Sequence, residues 1–264
     1  HRDLHSFPTR RSSDLEPDYS EVLSQIKDGE LKKERIIEDE LTFSASQFST
    51  YQRCPRVYKY NYVYKIPTLP KPYFDFGGTV HNVIEQLSKK LMEGEPVDIH
   101  LAIEYLKAYW KSTGYSTEKA EKEAFDDAVA ILDIFIQEQQ TMNTKIVEAE
   151  KSFTIKLDNY SIRGFIDRID KDGDDYIIWD YKTSKTPISE NDLRKDFQLL
   201  IYDMAVQELF GKKPKQVGLW FLRQNKKVVI EPREEDIEKI KEQILKTINS
   251  IMNEDFEPKV GWEC

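Results

Sequence analysis

The segments GFIDRID, residues 164–170, and DYIIWDYK, residues 175–182, are separated only by Lys171 and the run Asp172-Gly173-Asp174. Both are rich in β-branched and aromatic residues, and the Asp-Gly-Asp run supplies turn chemistry, so together they predict a β-hairpin. A turn centred between Gly173 and Asp174 pairs positions whose numbers sum to 347, which sets Asp167 opposite Asp180. Directly opposed side chains in an antiparallel ladder have Cβ atoms roughly 4.5 to 5.5 Å apart, where two like charges repel unless something compensates. A divalent cation would compensate. Side chains two apart on a strand share a face, so Lys182 joins Asp180 while Trp179 and Tyr181 point the other way.

One face of the hairpin thus presents Asp167, Asp180 and Lys182 together. Phosphodiester hydrolysis needs oxygen ligands for a metal such as Mg²⁺, an activated water, and positive charge near the developing phosphorane. The two aspartates suit the first need, and Lys182 suits the water or the charge. The plain alternative is a solvent-facing hairpin with ordinary surface charges, since alternation makes one polar face common.

Outward from the hairpin, KIVEAEKSFTIKL at 145–157 predicts a preceding strand. A helix is expected over 192–210, with Leu193, Phe197, Leu200, Ile201 and Met204 on one side. Gln198 and Tyr202, four apart, share a ridge beside that stripe and are candidates to hydrogen-bond a phosphate or a metal's water, or are ordinary boundary residues. Strands near 216–222 and 227–231 and a helix at 233–252 follow. Upstream, Ser44 and Gln47 form a capping-box pattern for a short helix through Tyr51. Phe76-Gly77-Gly78 is expected to end a loop, with Thr79 capping a helix whose stripe is Val80, Ile84, Leu87 and Leu91. His81 flanks that stripe; a histidine there is commonly a boundary residue, yet a neutral imidazole also suits a transition-type ion such as Mn²⁺. Glu85, one turn later, is expected to be a solvated partner. Two more helices fall near 98–112 and 117–141. The expected class is α/β: a mixed central sheet flanked by helices, with an added helical segment around 95–142.

The chain's 264 residues carry 39% hydrophobic residues, enough for a core, and a net charge of -9. Residues 1–15, HRDLHSFPTRRSSDL, lack apolar periodicity and resemble translated sequencing-adaptor text. They hold three Arg and two Asp, so of 39 basic and 48 acidic residues 36 and 46 remain. Such an acidic balance argues against non-specific coating of nucleic acid but not against a local basic groove. Residues 16–40 read as a charged linker, which suggests a motor domain before it, and 41–264 as the folded domain. No GxxxxGK[ST] loop is present, so ATP hydrolysis is not expected of this chain. Without a leader or a long apolar run, a cytoplasmic address and no membrane partner are expected. Cys54 and Cys264 have no zinc or disulfide-framework spacing.

In this order and at these spacings, SASQFSTYQRCP, FGGTVH, GFIDRID, WDYKTSK and QLLIY resemble the RecB-like branch of the PD-(D/E)XK nuclease superfamily, over about residues 41–264. That branch includes nuclease domains of helicase-nucleases and CRISPR-associated exonucleases. The resemblance implies a restriction-endonuclease-like core and Mg²⁺- or Mn²⁺-dependent cleavage of DNA, in single strands or at ends, during repair or recombination. It implies metal binding by His81, Asp167 and Asp180, catalysis by Lys182, and a Gln-x-x-x-Tyr motif at Gln198 and Tyr202. It further implies a helicase domain or subunit as partner. Many members hold a [4Fe-4S] cluster on one early and three late cysteines. Cys54 matches the first and Cys264 one of the others, so the chain would stop inside the motif.

Tyr51, Tyr58 and Tyr62 with Arg53, Arg56 and Lys59 are candidates for stacking and phosphate contacts to a strand, or for packing a helical subdomain. A catalytically inactive nucleic-acid-binding module and a nuclease acting on RNA are the competing functions. If residues 1–15 are adaptor text, deleting them leaves the melting temperature unchanged; a drop of several degrees would show that they pack.

Overall fold

The hairpin forms in the expected register and lies inside a six-stranded mixed sheet. The computed structural model describes residues 41–66, 72–112 and 114–259. The adaptor-like segment, the linker at 16–40 and Cys264 lie outside the described residues. The strands are β1 (Thr42–Phe43), β2 (Lys145–Leu157), β3 (Tyr160–Asp172), β4 (Asp175–Lys182), β5 (Gln216–Phe221) and β6 (Lys226–Ile230). They run in the order β1-β3-β4-β5-β6, with β2 paired to β3. β1 is parallel to β3 and β4 to β5, and the other pairings are antiparallel. Arg168 faces Trp179 and Asp172 faces Asp175, with Gly173 at φ 60 in the two-residue turn where a side chain would be strained.

The helices are α1 (Ala45–Arg53), α2 (Pro55–Tyr58), α3 (Pro72–Met92), α4 (Ile99–Tyr109), α5 (Glu118–Gln139), α6 (Glu190–Leu193), α7 (Phe197–Phe210) and α8 (Glu234–Met252). They cover both faces of the sheet. Ile162, Ile166, Ile169, Ile178, Val217 and Leu219 pack with α1, α7 and α8. Ile177, Trp179, Tyr181 and Trp220 pack with α3, α4 and α5. Burying each such side chain contributes roughly 1.5 to 3 kcal/mol against the entropy of ordering the chain. The added helical segment is α4 and α5, capped by the side chains of Asp98 and Thr117. No helix among the described residues is long and apolar enough to cross a membrane.

Two expectations are corrected. Helix α3 begins at Pro72 and runs straight through Gly77-Gly78, so Thr79 does not cap it; the Thr79 hydroxyl instead donates to the carbonyl of Tyr109 at 3.4 Å. A glycine inside a helix costs about 1 kcal/mol, and the buried stripe of Phe76, Val80, Val83, Ile84 and Leu87 outweighs that. The helix expected over 192–210 is two helices. The first ends at Leu193 with Arg194 as its C-cap, and Asp196 starts α7, its carboxylate accepting from Leu199 N–H at 3.0 Å. Nor is α7 one-sided: Leu199, Leu200, Ile201, Tyr202, Asp203, Ala205 and Val206 are all buried, because the sheet lies on one flank and α1 and α8 on others.

Asp203 is the anomaly in that helix. Its Oδ2 accepts from Gln207 at 2.6 Å, while its Oδ1 is buried with no hydrogen-bond partner among the described residues. Burial pushes its carboxyl up from the ordinary 3.8 to about 6. A carboxyl with a raised native pKa binds more protons folded than unfolded, so its contribution to stability is lost as pH rises through that window. Asp203→Asn is therefore expected to raise the melting temperature at pH 7 by several degrees and to flatten the pH dependence of urea unfolding between about pH 4 and 6. An unchanged profile would show that the carboxyl titrates normally.

Candidate active site

Asp167 occupies the β3 position where the ladder with β4 runs out, and the backbone N–H of Tyr181 donates to its Oδ2 at 2.8 Å. That bond ties the carboxylate to the strand carrying Asp180. From the N-terminal half of α3, His81 brings its Nδ1 to 3.3 Å from the same Oδ2. Glu150 enters from β2. One ligand atom each from His81, Glu150 and Asp167 lie within 4.8 Å of one another.

Asp180 stands beside this group, 1% exposed, with its Oδ2 2.5 Å from the Lys182 ammonium. Lys182 also donates to Gln198 Oε1 at 3.3 Å, and Gln198 Nε2 donates to the Tyr202 hydroxyl at 2.7 Å. The two residues four apart on α7 thus form a relay ending on the lysine.

The electrostatics follow from crowding acids in a place water reaches poorly. Burial, and then the Asp180 charge, hold the Asp167 carboxyl well above the usual range. Burial, with Glu85 and Asp180 next, also raises Glu150. Burial lowers the His81 imidazole despite the opposing pull of Asp180, which leaves it neutral and able to ligate. For Lys182, burial works against the charge, but the Asp180 carboxylate outweighs it and the ammonium is held protonated. Two converging carboxylates and a neutral imidazole form a mixed oxygen and nitrogen donor set, and a bound divalent cation would relieve their repulsion.

His81, Asp167, Asp180, Lys182, Gln198 and Tyr202 are therefore neighbours in space. Within that set Asp180 is turned to Lys182, and the third member of the tightest group is Glu150, which the sequence reading passed over. Its backbone sits at φ 49, left-handed in mid-strand, while the flanking pairs Ala149 with Arg168 and Lys151 with Ile166 remain in register. A non-glycine residue is uncommon there, and the departure interrupts the alternation beside Asp167. The signal lay in the numbering: β2 and β3 turn at Asp158-Asn159, and the same pairing arithmetic places Glu150 opposite Asp167. Glu85 pairs with Lys89 on the helix surface and is not in the group.

The residues considered for strand binding lie elsewhere. Tyr51 and Tyr58 are buried, packed edge-on to each other and against Phe256, so packing is what these two rings do. Arg53 and Arg56 are exposed, and Arg56 lies 3.7 Å from Glu257. Cys54, between α1 and α2, is fully buried.

Behind the site, Arg168 and Asp170 are both completely buried and form a two-pronged pair, Nε to Oδ1 at 2.5 Å and Nη2 to Oδ2 at 3.0 Å. Gln139, Thr144 and Trp179 satisfy further atoms of the pair.

An acid on one strand and an acid-x-lysine on the next is the PD-(D/E)XK arrangement, and the model of the PD-(D/E)XK nuclease superfamily matches residues 42–264. The chain belongs to that superfamily. It is 25% identical over 233 residues to the gene 69 protein of Mycobacterium phage L5, covering 72% of this chain and 78% of the phage protein. The gene 69 protein of Mycobacterium phage D29 is 23% identical over 204 residues, covering 68% and 74%. Among solved structures, a protein of Eubacterium rectale provisionally named an exonuclease superposes with a TM-score of 0.51 at 12% identity, covering 96% of this chain and 90% of its own. That likeness shows a shared fold.

In a PD-(D/E)XK site built this way, millimolar Mn²⁺ is expected to raise the melting temperature. Asp167→Asn is expected to abolish that rise and to melt higher than the wild type in EDTA, since one buried charge is gone. An undiminished Mn²⁺ shift in the variant would remove Asp167 from the ligand set.

Proposed function

We propose that this domain is a divalent-metal-dependent deoxyribonuclease that hydrolyses phosphodiesters in single strands or at DNA ends. The observation that carries the reading is the assembly of Asp180 and Lys182 beside the His81, Glu150 and Asp167 group, in a chain of the PD-(D/E)XK nuclease superfamily. Mg²⁺ or Mn²⁺, held by His81, Glu150 and Asp167 with Asp180 adjacent, would supply Lewis-acid activation of the phosphodiester and of water.

The chain's own residues divide the remaining work. Asp180 keeps Lys182 protonated, so its ammonium can neutralise charge that develops on the phosphorane oxygens. Gln198 accepts from Lys182 and fixes its direction. Tyr202 accepts from Gln198, which leaves its own proton to donate to a phosphate oxygen; burial, with Asp180 and Asp167 next, keeps that proton on. A non-catalytic relic would have no use for this arrangement, because buried acids in close company cost stability unless they do something.

Exonuclease action agrees with the name borne by the Eubacterium rectale protein. A role in repair or recombination beside a helicase domain or subunit, in the cytoplasm, rests on the motif order. For a cysteine-held cluster, support comes from the end of the described chain, which returns to the Cys54 helices. Tyr51 donates to the Asp255 carbonyl at 2.5 Å, Lys259 donates to the Gln52 carbonyl at 2.5 Å, and Phe256 stacks on Tyr58.

End-labelled single-stranded and duplex DNA, incubated with Mg²⁺, Mn²⁺ or EDTA, should be cut by the wild type only with metal. Lys182→Ala should slow cleavage by about 10² to 10³, as losing one charge-stabilising donor does, and Asp180→Ala should abolish it. Binding without cleavage would indicate the inactive module instead, and wild-type rates in either variant would overturn the site.

A further inference from the structure

β3 changes partners along its length. β1 pairs with it at Ser161 and Ile162, and β4 pairs with it from Arg168 onward. Across residues 163–167 only β2 lies alongside, so one edge of the strand faces a groove of about 550 Å³. Ser44 and Ser46 at the start of α1 border it on one side, and Gln198 and Tyr202 on the other. Asp167 forms its inner end.

Two side chains in that groove are unexplained by the fold. Phe165 is 59% exposed, more than any other large apolar side chain among the described residues. Arg163 is exposed, and no ion pair or hydrogen bond engages it among the described residues. A single exposed ring is ordinary on a protein surface, but this one shares a groove with an exposed arginine and with the candidate metal-site carboxylate, a combination that suits a ligand. Arg163, Phe165 and Asp167 follow at two-residue steps of about 6.5 Å, roughly the advance of one nucleotide along an extended strand. The neighbouring groove residues Ser46, Ser152 and Thr154 are hydroxyl-bearing and exposed. Away from Asp167 the lining carries no carboxylate.

We propose that this groove holds the single-stranded DNA that feeds the active site, with one base stacked on Phe165 and a phosphate on Arg163. The proposal rests on the nuclease reading for its substrate. A ring in this position suits an unpaired base, whose face is free, and not a duplex, whose bases are already stacked on each other. Stacking is indifferent to base identity, so the groove would position a strand without selecting a sequence.

Binding can be read apart from cleavage, using fluorescently labelled oligo(dT) and a duplex of equal length in Ca²⁺ without Mg²⁺ or Mn²⁺. Phe165→Ala is expected to weaken single-strand binding about tenfold and to leave duplex binding as it was. Phe165→Trp should restore it, and oligo(dT) should quench the fluorescence of the added indole. Arg163→Ala should lower the slope of log Kd against log salt by about 0.7. In the cleavage assay, the loss in Phe165→Ala should fall on KM. Unchanged single-strand affinity in Phe165→Ala, or an equal loss for the duplex, would overturn the proposal even if the wild type cuts DNA. Phe165-dependent binding by a wild type that fails to cut would leave the groove standing and remove the nuclease reading.

Discussion

Carboxylates from three adjacent strands, Glu150, Asp167 and Asp180, converge where β2, β3 and β4 meet, and their repulsion sets the terms for what surrounds them. Two of them have specific counterweights, and the third is placed by its backbone. Lys182 sits on Asp180, the Tyr181 N–H and the His81 ring sit on Asp167, and Glu150 is turned inward by a left-handed backbone. Such a cluster is costly in a folded chain, since like charges in a desolvated site raise one another's pKa and destabilise the native state. The cost is tolerable where a divalent cation occupies the centre, and local strain of this sort is characteristic of functional positions.

The rigidity that holds these acids in place comes from the opposite side of the same strands. Arg168 and Asp170 alternate with Asp167 and Ile169 along β3, and their buried pair is satisfied by Gln139, Thr144 and Trp179. A buried ion pair gives little net stability over an apolar packing of the same volume, but breaking it strands a charge. Its effect here is positional. It links β3, β4 and α5 through directional bonds, and so fixes which way the adjacent Asp167 must point.

The hairpin was legible because a period of two and a two-residue turn leave little freedom: once Asp172 and Asp175 pair, Arg168 meets Trp179, and Asp167 and Asp180 follow one position past the end of the ladder. The mixed sheet and most helix ends were equally readable, as with Ser44 and Gln47, whose capping box is present. Two features were not, each because tertiary packing overrode a local rule, and a third was left open. Gly77 and Gly78 looked like a loop end, yet the apolar stripe carries α3 through them. Helix α7 looked one-sided, yet it is surrounded. For Tyr51 and Tyr58 the sequence left stacking on a strand and core packing both open, and in the fold they close a core with Phe256. The most exposed aromatic among the described residues, Phe165, sits in the most diagnostic motif of the chain, two residues before the acid that defines that motif.

Partner exchange along β3 connects these features. A strand hydrogen-bonded on both edges throughout would bury its backbone and leave no room beside Asp167. By pairing with β1 at one end and β4 at the other, β3 opens an edge between residues 163 and 167, the last of which is the candidate metal ligand Asp167. Gly164 reinforces the opening from beneath: a Cβ there would fall 2.8 Å from Phe153 Cζ, and Phe153 in turn packs edge-on against Tyr202 at 5.8 Å. A side chain at 164 would push Phe153 toward the tyrosine that ends the Lys182 relay, so the absence of one keeps the groove and the relay compatible. The net charge of -9 fits the same local design. Because the groove carries one carboxylate, Asp167, and is otherwise lined by hydroxyls, an amide, apolar groups and one arginine, an acidic chain can still offer the proposed strand a path that its net charge does not block.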